Sequence, residues 1–393
     1  MSRIYIFTGK GGVGKTSVAA AHAVLSSGEG KRTLLVSTDM AHNLGDVFER
    51  KLGKEPVRQQ ENLDLYEIDP NYVMEQDFRD ILSCIGKMLP DSSGKNMEDF
   101  GMVPGMEELF SLLKIADIWD SGVYERIIVD CAPTGETLSL LKFPELLSWY
   151  MEKLFPLGKV AMRVLSPVSK RLFELELPNR QAMSDIERMY LKLIRLQELL
   201  KDRNTTSIRL VAMPEKMVVE ETKRNYMYMN LYNFNVDGLY INRVIPENIG
   251  NPFFDEWLNI QKKYIAQLKE SFAELPVCCI PWYEEEVRGV KAVERICEDA
   301  LSGKEVFRSA IQGGREQFEQ VEDGYILTVF MPNAQKEDLE VYQTETDVAI
   351  RLGNYKRNIP LPNTLKSYLI TSARLEEGKL RLSLRQESGA GTQ

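Results

Sequence analysis

The chain has 393 residues, of which 44% are hydrophobic and 27% charged, and its formal net charge is −9. This is a globular composition, long enough for two domains; the acidic balance argues against nucleic-acid binding by bulk electrostatics. No run of eighteen apolar residues supplies a membrane-spanning helix. The five cysteines (Cys84, Cys131, Cys278, Cys279, Cys297) are scattered without a C-x-x-C, which reads as reduced thiols in a cytoplasmic protein. With two histidines, His22 and His42, no zinc site is expected within one chain. The chain enters a strand at Arg3, so no leader peptide is expected.

The first element is a short β-rich run, Arg3 to Thr8, followed by Gly9-Lys10-Gly11-Gly12-Val13-Gly14-Lys15-Thr16 and a helix that opens at Ser17. Strand, glycine-rich loop and helix in this order make a phosphate-binding P-loop. Backbone N–H groups and the helix N-terminus converge on phosphate oxygens. Lys15 is placed to reach the β- and γ-phosphates of ATP, and the Thr16 hydroxyl to ligate Mg²⁺. Lys10 is a second lysine on the loop rim, able to reach a phosphate bound elsewhere.

Arg32 to Ser37 is the next strand, and it delivers Asp39 to its end, where a carboxylate can orient a water on the γ-phosphate or meet Mg²⁺. Asp39 could equally cap a helix; Asp46 is a weaker candidate in the same loop. Leu63 to Ile68 is a strand closed by Asp69-Pro70. Arg126 to Asp130 is an apolar run ending in an acid, the pattern that holds Mg²⁺, usually through water. Pro133, Thr134 and Gly135 follow in a loop suited to change shape when the γ-phosphate leaves.

Residues 71–122 and 143–202 read as mainly helical. The second stretch is rich in methionine and leucine. Met151, Phe155, Met162, Met183 and Met189 are candidates to line an adaptable groove for apolar segments; the same residues also suit an ordinary helical core. Strands at Ser207–Met213, Gly238–Asn242 and Val277–Ile280, with helices at 215–231 and 255–273, complete an α/β pattern. Asn242, Arg243, Pro281 and Trp282 fall at strand ends, where open α/β sheets bind ligands, and an Asn amide can pair with an adenine edge. Tyr325 to Arg385 then holds six short β runs separated by turns, the pattern of an antiparallel sandwich.

The K-G-G-V-G-K-T loop resembles the deviant P-loop of the group that includes MinD, ParA, nitrogenase iron protein and the arsenical pump ATPases. S-T-D-M-A-H-N-L-G-D, D-C-A-P-T-G-E-T-L-S-L-L, P-E-K-M-V-V-E-E-T-K-R, Asn242-Arg243 and E-V-R-G-V narrow the resemblance to the arsenical pump and tail-anchored-protein targeting ATPases. It covers roughly residues 1–300. Residues 325–385 resemble the α-crystallin domain of small heat-shock proteins, through M-P-N-A-Q-K-E-D-L-E-V, N-I-P-L-P and L-E-E-G-K-L-R-L-S-L.

The resemblance implies a homodimeric, Mg²⁺-dependent ATPase. Lys10 would act on the partner's nucleotide, Asp39 would be the hydrolytic acid, Asp46 would lie in one switch and Asp130 to Thr137 in another. Ser17 completes the P-loop set, and Asn242 with the Pro281 loop would hold adenine. The organisation expected is an ATPase domain over 1–304, a linker over 305–322 and a β-sandwich over 323–387. The fold class is a doubly wound, mainly parallel α/β sheet with a helical subdomain, plus the antiparallel sandwich.

The function expected first is a nucleotide switch that binds and releases apolar polypeptide segments, such as tail-anchored membrane proteins, with only indirect or transient membrane contact and no nucleic-acid partner. An ATPase subunit driving a membrane anion pump is the alternative, and a ParA-like positioning ATPase a second. Asn251-Pro-Phe-Phe-Asp-Glu-Trp stands where zinc-clamped relatives carry C-x-x-C, so a zinc-clamped dimer is not expected.

Overall fold

The computed structural model describes residues 2–39, 43–77, 106–131, 180–309 and 315–386. Chain order is β1 (Arg3–Thr8), α1 (Lys15–Gly28), β2 (Thr33–Ser37), α2 (Asn43–Val47), β3 (Val57–Gln60), β4 (Leu63–Glu67), α3 (Pro70–Asp77), α4 (Met106–Asp120) and β5 (Arg126–Asp130). It continues through α5 (Arg180–Lys201), β6 (Thr206–Ala212), α6 (Lys216–Leu231), β7 (Val236–Val244), α7 (Asp255–Ser271), β8 (Val277–Pro281) and α8 (Gly289–Ile296).

These strands form an eight-stranded sheet in the order β3-β4-β2-β5-β1-β6-β7-β8. β1 pairs parallel with β5 and β6, and β2 parallel with β4 and β5; β3 runs antiparallel to β4. The central strands are mainly apolar because they are covered on both faces. Ile4, Phe7, Leu34, Leu35, Val36, Ile128 and Val129 are all fully buried. After β5 the chain crosses to the opposite side of β1, so the order reverses there. Binding crevices of such sheets open beyond the strand ends at that reversal.

The C-terminal strands are β9 (Glu316–Val321), β10 (Gly324–Phe330), β11 (Leu339–Gln343), β12 (Asp347–Leu352), β13 (Tyr355–Pro360), β14 (Tyr368–Glu376) and β15 (Lys379–Gln386). They make two antiparallel sheets, β14-β15-β10-β9 and β11-β12-β13. Strand alternation sets the core: Leu380, Leu382 and Leu384 of β15 point inward and are fully buried. Leu382 and Leu380 stand opposite Leu327 and Val329 of β10.

By contacts the chain divides into two compact units, Met1–Val211 with Tyr283–Lys304, and Ala212–Trp282 with Glu305–Gln393. Two details differ from the reading of the sequence. Residues 316–321, expected in a linker, form β9 and pair with β10 along its whole length. Their sequence EQFEQV carries too few apolar residues to announce a strand, so the pairing partner specifies it. The edge strand β3, VRQQ, escaped notice for the same reason. Of the helical stretches expected over 71–122 and 143–202, the described residues hold α3, α4 and α5; the rest lies outside them.

Candidate functional site

The P-loop runs from the end of β1 into α1. Gly14 is the N-cap of α1 at φ 87°, a left-handed conformation that costs glycine little, and no side chain caps the helix. The first N–H used inside the helix is that of Val18, donated to Gly14 O at 3.2 Å. The N–H groups of Lys15, Thr16 and Ser17 therefore have no acceptor in the helix, which makes this end an anion site. Val13 is buried and anchors the loop, Gly11 and Gly12 are exposed, and Lys10 is half-buried on the rim. Lys15 is 6% exposed.

β2 and β5 bring two acids to this loop. Asp130, the last residue of β5, is fully buried. Its Oδ2 accepts the Thr16 hydroxyl at 2.7 Å and the Ser37 hydroxyl at 3.5 Å. The chain beyond β2 is pinned beside it. Thr38 N–H donates to Asp130 O at 3.0 Å, and Asp39 N–H donates to the Ser37 hydroxyl at 3.2 Å. Asp39 is half-buried and Asp46, in α2, is exposed. Ser37 therefore ties Asp39 to Asp130, a role that the sequence reading missed. Its place two residues before Asp39, at the end of a core strand, was the available signal.

Asp130 Oδ1 is buried without a hydrogen-bond partner among the described residues. A buried carboxylate oxygen left unpaired is costly, and a hard cation is one group that would satisfy it. Oxygen donors are what Mg²⁺ takes, and Asp130 with Thr16 provides them at the mouth of the phosphate loop, so these residues fit the ion.

Burial pushes the Asp130 carboxyl up to about 6; the Thr16 hydroxyl and the Lys15 charge oppose this, while the Asp39 charge adds to it. With the folded carboxyl above its ordinary value of 3.8, the metal-free folded state holds the proton more tightly than the unfolded chain. The associated stability is fully present below about pH 4 and is lost as pH rises through about 6. In Mg²⁺-free and nucleotide-free buffer, Asp130→Asn is expected to gain on the wild-type chain by about 2–3 kcal/mol between pH 4 and 7. Urea unfolding of both proteins across that range measures it; parallel pH profiles would show that Asp130 is not held protonated.

In the second unit, β7 carries Asn242 and Arg243 near its end. Asn242 is 8% exposed; Arg243 is exposed at φ 54°, where the β7–β8 register shifts. Gln261 of α7 holds the chain after β7 at both groups of Ile245, accepting its N–H at 2.9 Å and donating to its O at 2.7 Å. Pro281 ends β8, and Trp282, half-exposed, donates its N–H to Val244 O at 2.8 Å. Pro133, Thr134, Gly135, Met151, Phe155 and Met162 lie outside the described residues, as do the side chains of Met183 and Met189 in α5.

The anion-transporting ATPase family profile matches residues 2–302. The chain belongs to that family. An HSP20-like domain found in ArsA matches residues 322–384 of this ATPase. A relative from Aquifex aeolicus, provisionally named arsenical pump-driving ATPase 1, is 33% identical over 96% of this chain and 98% of its own. One from Chlorobaculum tepidum, with the same provisional pump-driving name, is 36% identical over 92% of this chain and 91% of its own. An ATPase get3 from Pyrenophora tritici-repentis is 33% identical over 75% of this chain and 90% of its own. The chain is thus an ATP hydrolase of the arsenical-pump and get3 kind with an HSP20-like domain, and the expected α/β fold and family stand. Among the described residues no helix is long and apolar enough to cross a membrane.

Proposed function

We propose that this ATPase is a Mg²⁺-dependent nucleotide switch, working as a homodimer, that energises a membrane anion pump of the arsenite type from the cytoplasmic side. The observation that carries the nucleotide chemistry is the Thr16–Asp130 contact at 2.7 Å with Asp130 Oδ1 left over beside it. Mg²⁺, when bound, would neutralise charge on the β- and γ-phosphates. Gly9 to Ser17 cradle the phosphates, and Lys15 stands against them. Asp39 orients the attacking water, Lys10 reaches the partner subunit's nucleotide, and Asn242, Arg243, Pro281 and Trp282 hold the adenine. Asp46 and the 133–135 segment respond to loss of the γ-phosphate.

Support for the pump output comes from relatives that carry pump-driving names across more than nine-tenths of both chains. A second reading, capture and release of an apolar polypeptide, is favoured by the HSP20-like match, because such sheets offer edges to extended segments. Mg²⁺-ATPase turnover measured with arsenite, with antimonite and with an apolar peptide separates the two. Metalloid stimulation of at least about fivefold, near the lower end of allosteric coupling, is the outcome expected of a pump ATPase. Stimulation by the peptide alone would replace that output with the second. No hydrolysis in the presence of Mg²⁺ would overturn both.

A further inference from the structure

The segment that starts at Asp39 is tied down a second time, by a residue outside every motif discussed above. Gly45, six positions after Asp39, donates its N–H to Glu67 Oε1 at 2.8 Å. Glu67 is the last residue of β4, and in the parallel β2–β4 pairing it stands opposite Ser37. Ser37 is the residue whose hydroxyl accepts the Asp39 N–H. Both ends of the Asp39–Gly45 segment are therefore fastened to one rung of the sheet, where neighbouring strands are about 4.8 Å apart. Ile68 N–H, donated to Ser37 O at 3.1 Å, closes that rung.

The far anchorage is tight. Arg50 N–H donates to Gly45 O at 2.9 Å, and a Cβ placed on Gly45 would stand 2.8 Å from Arg50 O and 3.6 Å from Glu67 Oε1. Only glycine fits between the Glu67 carboxylate and the Arg50 carbonyl. Beside this contact lies a cavity of about 440 Å³ lined, among the described residues, by Asp46, Glu49, Arg288 and Glu67. The hydrogen bond that Gly45 donates to Glu67, a charge-assisted one, restrains where the segment ends.

We propose that Glu67 is a positioning residue for ATP hydrolysis: by holding Gly45 on the rung that also holds Asp39, it fixes the stance of the Asp39 carboxylate. The proposal rests on Asp39 being the hydrolytic acid. β4 stands three places from β1, the strand that leads into the phosphate loop, so loss of Glu67 is expected to act on kcat and to spare nucleotide binding. Misplacing a reacting group by about 1 Å can cost up to ~100-fold in rate.

The test is steady-state kinetics and nucleotide affinity of five full-length variants. Glu67→Ala is expected to lower kcat about tenfold or more with the Kd for Mg·ATP within about twofold. Glu67→Gln, whose Oε1 still accepts the Gly45 N–H, is expected to keep kcat within about threefold. Gly45→Ala, which displaces the same contact from the other side, should reproduce the kcat-selective loss if Glu67→Ala does not fold. In the Asp39→Asn background, Glu67→Ala should add less than about threefold, since residues acting as a unit are not additive. Wild-type kcat in both Glu67→Ala and Gly45→Ala, an equal loss in Glu67→Gln, or a loss of affinity as large as the loss of kcat overturns the proposal. Asp39→Asn with full turnover instead removes the reading of Asp39 on which it rests, and the two failures are told apart by that variant alone.

Discussion

Asp39→Asn is expected to bind Mg·ATP as the wild type does and to hydrolyse it at least ~100-fold more slowly, a loss of about 2.7 kcal/mol in transition-state stabilisation. Asparagine keeps the volume, and the backbone N–H that donates to Ser37 is untouched. What disappears is the negative charge next to the phosphate loop and one of the two acceptor oxygens that can orient water. The substitution also removes one charge that raises the Asp130 carboxyl. Single-turnover hydrolysis alongside equilibrium binding separates the two effects; near-normal turnover would end the assignment of Asp39. The same variant tests the action of Lys10 across a dimer. Lys10→Ala should depress turnover while weakening nucleotide binding less than Lys15→Ala does, since Lys15 is the buried lysine of the loop. Mixing Lys10→Ala with Asp39→Asn should restore activity, because one site in the mixed dimer retains Asp39 and is served by the other subunit's Lys10. No recovery on mixing would count against action in trans.

The phosphate-loop motif was legible because it is contiguous. Gly9 to Thr16 is a single run of residues, and the core strands that flank it are mainly apolar. Asp130 was readable as an acid ending such a strand, while its contact with Thr16 spans 114 positions and needs the fold. Ser37 was marked only by its place before Asp39, and its link to Glu67 was not readable for the same reason. Their relation is a strand register, and neither residue type marks it. Polar edge strands such as β3 and β9 also escaped, since they take their conformation from a neighbour's hydrogen bonds rather than from an alternating apolar pattern. The methionine-rich candidates for a client groove fall where side chains are not described, and they stay with the second reading of the function.

Removing the HSP20-like strands is expected to destabilise the second unit, although the sequence suggests a dispensable appendage behind a glycine-containing linker, so that a chain ending near Gln312 would hydrolyse ATP at close to the full rate. Within that unit β13 is built against the C-terminal end of α6. Arg357, 6% exposed, donates to Leu231 O and pairs with Glu316. The Tyr355 ring lies 3.7 Å from that of Tyr228, and the Tyr232 hydroxyl donates to Lys356 O at 2.8 Å. On the other side Arg315, 7% exposed, donates to Glu274 at 2.8 Å and lies over the Phe330 ring at 4.1 Å. A chain cut near Gln312 loses both arginines and the Phe330 ring that stands edge-on to buried Tyr226. Arg357→Ala in the full-length protein isolates one part of the seam. Breaking a buried pair from one side costs about 3 kcal/mol or more, which lowers the melting midpoint by roughly 6–12 °C in a unit of this size. The truncated chain should fall further and lose turnover at temperatures where the full chain is active. Calorimetry of the wild type, Arg357→Ala and the truncated chain, with ATPase rates at each temperature, checks this. A truncated chain with the melting midpoint and rate of the full protein would show that the seam contributes nothing, and that the sandwich is the independent appendage its sequence suggests.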